Sequence, residues 1–373
     1  VSDPTTTVLD GFTISGGNAY GCGSYQIITH IIFRYDGGGM QLRGGTPVVR
    51  NCNFTANSAE YGAGMYFASA TATLTNCTFS SNTSSVQGGG IKRATGNLTL
   101  ESCTFSNNQS AYGGAIQATQ GNSLVVNNSI FSGNTASEKG GGIYHGNGII
   151  TSITLNGCSF LNNTAMTGGG GLAAQSATLY NVVNCIFAGN SAGTAANSRG
   201  GGVYATAFSE GSSFVNCLIT GNTSGGGGAG AYIGSTTTSF INCTVSGNKT
   251  TSATETGGME FNGNANFSTV TNCIVWNNTN STGTGHMNAN IRIASSAAPV
   301  ITYSLIQGNN PSGTGNLNGI AHVANSNYPN FETPLDPATA PSTGGDFHLT
   351  NCSPVLNLGT NTGSPATDLF GDA

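Results

Sequence analysis

Pairs of apolar side chains separated by one residue recur along the chain, and each pair is followed three residues later by an asparagine. Residues two apart on a β-strand face the same side, so both members of each pair are predicted to face a core. The second member is phenylalanine as far as residue 187 and Ile or Val afterwards. The first members, which begin 25 to 32 residues apart, are Cys52, Cys77, Cys103, Ser129, Cys158, Cys185, Cys217, Cys243, Cys273 and Ser304.

The asparagines that follow these pairs are predicted to form a ladder at one turn of the repeat. Asparagine tolerates left-handed backbone, and we expect the ladder residues to use that conformation. We also expect each side-chain amide to bond to the equivalent amide of the next repeat. The ladder positions are Asn57, Asn82, Asn108, Asn134, Asn163, Asn190, Asn222, Asn248, Asn278 and Asn309.

A second signature, of small residues that are mostly glycine followed by an apolar residue, lies between successive asparagines. Glycine in such a run predicts a tight corner at which Cβ atoms would crowd. Two signatures that stay in step over nine repeats identify one repeating structural unit. The copies end at Met40, Met65, Ile91, Ile116, Ile143, Leu172, Val203, Ala231 and Met259.

The length of the repeat selects the architecture. No amphipathic helix is visible in the repeat, and a propeller blade needs roughly 40 residues or more. A repeat of about 26 residues suits one coil of three short strands and three turns. We therefore predict an all-β fold, a right-handed parallel β-helix of about 10–11 coils that stack roughly 4.8 Å apart.

Two segments are expected from the pattern. Residues 1–309 carry the β-helix repeats, and residues 310–373 are predicted to form the final coil and an irregular C-terminal cap over the open end. Seven of the ten prolines lie in this second segment. The N-terminus carries no signal peptide although the repeat begins almost at once, so we expect a processed chain or a fragment of a longer one.

Composition narrows the possible partners. Charged residues make up 6% of the chain, the net charge is −5 and Lys plus Arg number only 9. These values argue against nucleic acid as a partner, and no apolar run is long enough for a membrane-spanning segment. No Cys-x-x-Cys pair is present for zinc, and we predict no metal and no cofactor. The ladder cysteines are expected to be buried thiols, whereas Cys22 and Cys352 lie outside the ladder.

The sequence resembles two groups of bacterial proteins. Residues 112–116, Tyr-Gly-Gly-Ala-Ile, followed by residues 131–134, Phe-Ser-Gly-Asn, resemble the repeats of chlamydial polymorphic outer-membrane proteins. Residues 345–349, 353–359 and 368–371 resemble the closing segment of Bacteroidetes-type choice-of-anchor β-helix proteins. The resemblance implies a secreted or cell-surface β-helix and says little about activity.

Candidate chemistry is sparse along the sequence. The carboxylates are scattered, although Glu255 and Glu260 lie five residues apart across a glycine corner. Glu60 is expected to form a structural salt bridge with Lys92 and Arg93, and His145 is expected to be an isolated surface residue. Tyrosines that each follow a glycine corner form a candidate ligand-facing stripe suited to sugar rings, namely Tyr66, Tyr144, Tyr204 and Tyr232.

Two functions follow from these observations. We expect a non-enzymatic extracellular or cell-surface protein that acts as an adhesin, a structural stalk or a self-associating filament subunit. Its partner would be a surface glycan, another protein or a second copy of the chain. The alternative is a polysaccharide lyase or hydrolase, or a carbohydrate-binding β-helix of the pectate-lyase-like superfamily, which needs paired carboxylates or an acidic calcium site in a groove.

Overall fold

The computed structural model describes residues 7–20, 24–27, 30–33, 36–146, 148, 150–176, 178–234, 237–263, 268–283, 287–294, 298–320, 328–361 and 369. The chain winds into a parallel β-helix, and nine coils contribute a strand to each of four parallel sheets. The prediction of three strands per coil is therefore wrong, because a fourth short strand lies between the ladder asparagine and the glycine corner. The predicted all-β right-handed parallel β-helix is confirmed.

The strand bounds of the first two sheets follow chain order. Sheet A contains Val8–Asp10, Val48–Arg50, Ala70–Thr75, Gly96–Glu101, Gly121–Asn127, Ile150–Asn156, Leu179–Val183, Ser212–Val215, Thr238–Ile241, Thr269–Thr271 and Val300–Thr302. Sheet B contains Thr13–Ser15, Asn53–Thr55, Thr78–Ser80, Thr104–Ser106, Ile130–Ser132, Ser159–Leu161, Ile186–Ala188, Leu218–Thr220, Thr244–Ser246, Ile274–Trp276 and Leu305–Ile306.

The other two sheets complete each coil. Sheet C contains Asn18–Ala19, Ser58–Tyr61, Thr83–Gln87, Gln109–Tyr112, Thr135–Lys139, Thr164–Ala165, Ser191–Ala192, Thr223–Ser224 and Lys249–Thr250. Sheet D contains Met40–Arg43, Met65–Ala68, Ile91–Arg93, Ile116–Ala118, Ile143–His145, Leu172–Ala174, Val203–Ala205, Ala231–Ile233, Met259–Phe261 and Ile291–Ile293.

In the described part of the chain, two antiparallel strand pairs and two helical turns lie outside the four sheets. Ser24–Ile27 pairs antiparallel with His30–Phe33, and Phe331–Thr333 pairs antiparallel with Asp346–Leu349. A single α-helical turn spans Met287–Asn290, and a 3₁₀ turn spans Pro337–Thr339. No helix in the described part of the chain is long and apolar enough to cross a membrane.

The core is a set of columns of similar side chains. The described ladder cysteines are buried with free thiols, and Ser129 and Ser304 take the same buried position. The phenylalanine column stacks along the axis, with neighbouring ring centroids 4.6 to 4.9 Å apart from Phe54 to Phe187. The repeat therefore excludes water continuously along the solenoid. Cys352 is an exposed free thiol, and Cys22 lies outside the described residues.

The ladder asparagines are buried and bonded to one another. Asn108, for example, donates through Nδ2 to Asn134 Oδ1 at 2.9 Å and to the Phe79 carbonyl at 2.9 Å. The expectation of left-handed backbone at these residues is wrong. The left-handed residue is instead the one before each ladder position, such as Asn107 with φ of 53°.

The last step of the ladder also differs from the prediction. Asn278 donates to Asn290 Oδ1 at 3.1 Å and not to Asn309. The helical turn that contains Asn290 is inserted into the tenth coil and brings this amide into the ladder position.

The glycine corner is tight because backbone carbonyl groups of the next coil lie close to it. A Cβ on Gly141 would lie 2.5 Å from the Thr164 carbonyl oxygen and 2.6 Å from the Gly170 carbonyl oxygen of the next coil. Backbone atoms cannot move aside by that amount without breaking the stack. Glycine is thus required by the approach of neighbouring coils, as the sequence predicted.

The C-terminal segment both covers the last coil and folds back along the side of the solenoid. Leu317 pairs with Leu305 over the final coil. Residues 328–361 then pack on the outward face of sheet B, where Leu218, Trp276 and Leu305 meet Phe331 and Phe347. The sequence predicted a final coil and an irregular cap and did not address this lateral packing.

Candidate functional site

The outward positions of sheet D form one continuous row of mostly polar side chains. Strand alternation directs the residue after each glycine corner into the core and the following residue outward, so Met65 and Phe67 are buried inside while Tyr66 faces out. In register from coil to coil the row reads Gln41, Tyr66, Lys92, Gln117, Tyr144, Ala173, Tyr204, Tyr232, Glu260 and Arg292.

Side chains from the corner between sheets C and D lie over this row. Lys139 donates to Gln175 Oε1 at 3.0 Å, and Arg199 donates through Nη1 to the Tyr232 hydroxyl at 2.8 Å. Lys92, Gln117 and Glu260 in the row are consequently buried although they face away from the core. We call the row and its covering side chains, namely Asp36, Arg43, Tyr112, Lys139, Gln175, Arg199 and Glu255, the polar strip.

The polar strip holds most of the positive charge of the protein. Of the 9 Lys and Arg residues, five belong to it. The chain is only 6% charged, so this concentration on one face differs sharply from the rest of the described surface. The five cations are Arg43, Lys92, Lys139, Arg199 and Arg292.

At one end of the polar strip, Arg43 forms an ion pair with the buried Asp36. Its guanidinium carbon lies 4.7 Å from the ring centroid of Tyr66. Burial raises the pKa of Asp36 to about 6, against the opposing effect of Arg43. This end therefore combines an anionic group, a cation and an aromatic ring within one coil spacing.

Further along the polar strip, Lys92 is buried against side chains of the following coil. Its ammonium donates to Gln117 Oε1 and Thr119 Oγ1. Burial lowers the pKa of Lys92 to about 7, and the charge of Asp36 opposes that change. The expected salt bridge with Glu60 is absent, since Glu60 forms no ion pair with Lys92 or Arg93 among the described residues.

Two polar residues, one of them predicted for the surface, lie inside the solenoid. Arg93 is fully buried and donates through Nη2 to the Ser123 carbonyl at 3.0 Å. His145 is also fully buried, and its Nδ1 lies 3.0 Å from the Tyr180 hydroxyl. Burial lowers the pKa of His145 to about 4. The expectation of an incidental surface histidine is wrong, because strand alternation places His145 two residues from Ile143 on the inward side.

The four candidate tyrosines occupy the polar strip but not as one stripe. Tyr204 and Tyr232 are adjacent and stack with centroids 5.4 Å apart, whereas Tyr66 and Tyr144 are separated from other row tyrosines. Tyr144 is 3% exposed and Tyr232 is 6% exposed. Lys139 lies 5.8 Å from the Tyr204 ring and the Arg199 guanidinium carbon 4.8 Å from the Tyr232 ring. The faces of Tyr204 and Tyr232 thus contact each other and cations, and the Tyr144 and Tyr232 hydroxyls are bonded to Gln175 and Arg199, so Tyr144 and Tyr232 present little surface to solvent.

The other end of the polar strip brings two carboxylates together. Arg292 forms ion pairs with both Glu255 and Glu260, the latter at 2.9 Å. The Oε2 atoms of the two glutamates lie 2.8 and 1.5 Å from the position of a Cβ on Gly227, so only glycine leaves room for the pair. Burial, followed by the neighbouring Glu255 carboxylate, raises the pKa of Glu260 to about 7. Glu260 is therefore partly protonated near neutral pH.

A separate cleft of about 1090 Å³ lies between the corner of sheets A and B and the C-terminal hairpin. Its walls include Asn242, Asn272, Phe331 and Phe347. The charged groups of the polar strip do not line this cleft, which arises where the C-terminal segment crosses the side of the solenoid. We place the candidate site at the polar strip because titratable and cationic groups concentrate there.

The sequence predicted part of the polar strip. It identified the tyrosines and the Glu255–Glu260 proximity, but it missed Lys139, Arg199 and Arg292. One signal was available: the row members from Gln41 to Glu260 lie at the second position after a glycine corner, whereas Arg292 follows the helical turn. Arg199 and Glu255 come from corner loops whose length varies, so repeat spacing could not place them. No group of three or more His, Cys, Asp or Glu residues in the described part of the chain is arranged to hold a metal ion.

Comparison with known proteins supports the repeat. Residues 11–192 match the family model described as right handed beta helix region. The fold is that of a right-handed β-helix. The matched part of the solenoid includes the polar strip from Gln41 to Ala173, and the later coils continue the same four sheets. No curated protein and no solved structure shows a significant match to the chain.

Proposed function

We propose that the protein is a secreted or cell-surface β-helix that binds an extended acidic glycan along the polar strip. The concentration of cations, tyrosine hydroxyls and amides on one outward row supports this proposal. The resemblance to choice-of-anchor proteins and to chlamydial surface repeats supports the extracellular location. In this role the molecule serves as an adhesin or a glycan-binding stalk.

The charge balance of the polar strip favours an acidic ligand. Lys139 and Arg199 are half-buried and neither forms an ion pair with a carboxylate in the described part of the chain. Both contact tyrosine rings and keep donors directed away from the core. Carboxylate or sulfate groups of a glycan would pair with these cations through charge-assisted hydrogen bonds. Tyrosine edges and the Gln175 amide supply partners for sugar hydroxyls.

The repeat geometry favours a polymer over a single sugar. Neighbouring row residues are one coil spacing apart, roughly 4.8 Å, and the row extends over ten coils. A linear glycan that lies parallel to the axis would contact successive coils of the polar strip at this spacing. Weak contacts repeated along such a chain add to a useful affinity.

Calorimetric titration with polygalacturonate and with a neutral glucan of similar length tests the proposal. The acidic polymer is expected to bind and the neutral one to bind at least tenfold more weakly. The double variant Lys139→Gln/Arg199→Gln should raise Kd about tenfold, since each exposed charge contact contributes on the order of 1 kcal/mol. Lys249→Gln on sheet C is the matched control and should leave Kd unchanged.

Equal affinity for both polymers, or an equal effect of the control variant, would count against recognition by the polar strip. Raising the salt concentration offers a further check, because screening weakens contacts made by exposed charges. Binding that is insensitive to salt would argue for an apolar contact elsewhere on the solenoid.

A second candidate function is hydrolysis of the bound glycan at Glu255 and Glu260. Glu260 has a raised pKa and lies beside the carboxyl of Glu255, and glycosidases use a pair of carboxyls as an acid and its partner. Release of reducing ends from the polymer that binds, lost in both Glu255→Gln and Glu260→Gln, would support it. Binding without release of reducing ends would leave the protein a glycan-binding solenoid.

A further inference from the structure

Lys92 and Gln117 face each other across two neighbouring coils of sheet D. The two residues are in direct register, and the Lys92 ammonium nitrogen contacts Gln117 Oε1. The contact places an amine against the oxygen of a primary amide, one bond away from its carbonyl carbon. Strand pairing holds both side chains on the outward row, so the approach is fixed by the fold and not by chance encounter.

The surroundings of this pair favour reaction over simple hydrogen bonding. Lys92 is 6% exposed and Gln117 is fully buried, so water is excluded from the contact. Burial lowers the pKa of Lys92 to about 7, and a large share of its amine is therefore neutral and nucleophilic at neutral pH. The Thr119 hydroxyl donates to Gln117 Oε1 at 3.2 Å. A donor at that oxygen stabilises the negative charge that develops when an amine attacks the carbonyl.

We propose that Lys92 and Gln117 become joined by an isopeptide bond that covalently links two neighbouring coils of the solenoid. The Lys92 nitrogen forms a bond to Cδ of Gln117, and the bond from Cδ to Nε2 breaks. One proton passes from the attacking nitrogen to the departing one, which leaves as ammonia. The step consumes one amine and one amide, yields one amide and one ammonia, and needs no oxidant and no cofactor.

A second lysine–glutamine contact in the polar strip provides an internal comparison. Lys139 donates to Gln175 Oε1 at 3.0 Å, but both side chains are only half-buried. The hydroxyl that donates to the same Gln175 oxygen belongs to Tyr144 and lies farther away, at 3.4 Å. Water reaches this pair, and we expect it to remain unreacted.

Intact-mass measurement of the full chain under denaturing conditions tests the proposal. The wild-type protein is expected to be lighter than its sequence by one ammonia, and a tryptic digest should contain a branched peptide that joins the segments around Lys92 and Gln117. Lys92→Met and Gln117→Leu should each restore the sequence mass. Lys139→Met is the matched control, and its measured mass should still be lower by one ammonia than the mass calculated from its sequence.

Two results would overturn the proposal. The first is a wild-type mass equal to the sequence mass, with unmodified Lys92 and Gln117 in the peptide map after prolonged incubation above pH 7. The second is a loss of ammonia that persists in Lys92→Met, since cyclisation of an asparagine elsewhere would then be its source. Mass is read on the unfolded chain, so a variant that folds poorly still gives an answer.

Discussion

Replacement of Asn108 by alanine removes one complete rung of the asparagine ladder. The Asn108 amide makes four hydrogen bonds, all between buried groups. Its Nδ2 donates to Asn134 Oδ1 and to the Phe79 carbonyl, both at 2.9 Å. Its Oδ1 accepts from the backbone N–H of Asn82 at 3.1 Å and from Asn82 Nδ2 at 2.9 Å.

The decrease in the free energy of unfolding is expected to exceed the net contribution of the four hydrogen bonds themselves. After the change, the Asn82 backbone N–H and the Phe79 carbonyl lose their ladder partner in a site closed to water. Each orphaned buried group costs on the order of 1 to 3 kcal/mol, and the small cavity adds to this. We expect the free energy of unfolding to fall by about 3 to 5 kcal/mol.

The neighbouring residue supplies a matched control. Asn107 is exposed, has left-handed backbone and does not belong to the ladder. Glycine adopts that conformation readily, so Asn107→Gly should change the free energy of unfolding by less than about 1 kcal/mol. Urea denaturation of both variants, followed by far-ultraviolet circular dichroism, measures the difference.

A loss below about 1 kcal/mol for Asn108→Ala, similar to the control, would refute the reasoning. It would mean that water or a shifted neighbour satisfies the ladder at little cost. A lower slope of the denaturation curve, with an unchanged midpoint, would indicate instead that single coils unfold separately.

Three further outcomes follow from other parts of the molecule. Gly141→Ala forces a Cβ to within 2.6 Å of the carbonyl oxygens of Thr164 and Gly170, so the melting temperature should fall strongly and soluble yield with it. Glu260 has a folded-state pKa raised to about 7, so stability should decline as pH rises from about 4.5 to about 7, and Glu260→Gln should flatten that decline in melting temperature. Cys103→Ser should lower the free energy of unfolding by about 1 kcal/mol or less, because Ser129 occupies the same buried position in the next coil.

The sequence alone identified the coil and its columns. Cys103 and Phe105 are two residues apart, and strand geometry turns both inward whatever their neighbours are. The same alternation would have placed Arg93 and His145 inside, since each is two residues after a buried isoleucine. His145 was instead predicted for the surface and Arg93 for a salt bridge, whereas the fold gives the buried Arg93 backbone carbonyls as partners.

The candidate site was less accessible to sequence reasoning. Arg292 lies 37 residues from Glu255, and only stacking of the ninth and tenth coils brings them into an ion pair. Insertions of unequal length at the corner between sheets C and D decide which side chains cover the row. Spacing also failed at the end of the ladder, because an inserted helical turn brings Asn290 to the position predicted for Asn309.

The glycine corners and the asparagine ladder make interior coils interchangeable. Residues 103–128 form one such unit, with the same columns above and below it, so removing the unit whole would join two matching surfaces. Such a deletion would bring the ends of the polar strip closer by one coil, roughly 4.8 Å, without altering either end. The number of coils therefore acts as a molecular ruler, and duplication or loss of a coil in evolution would reset the length of polymer that the strip can span.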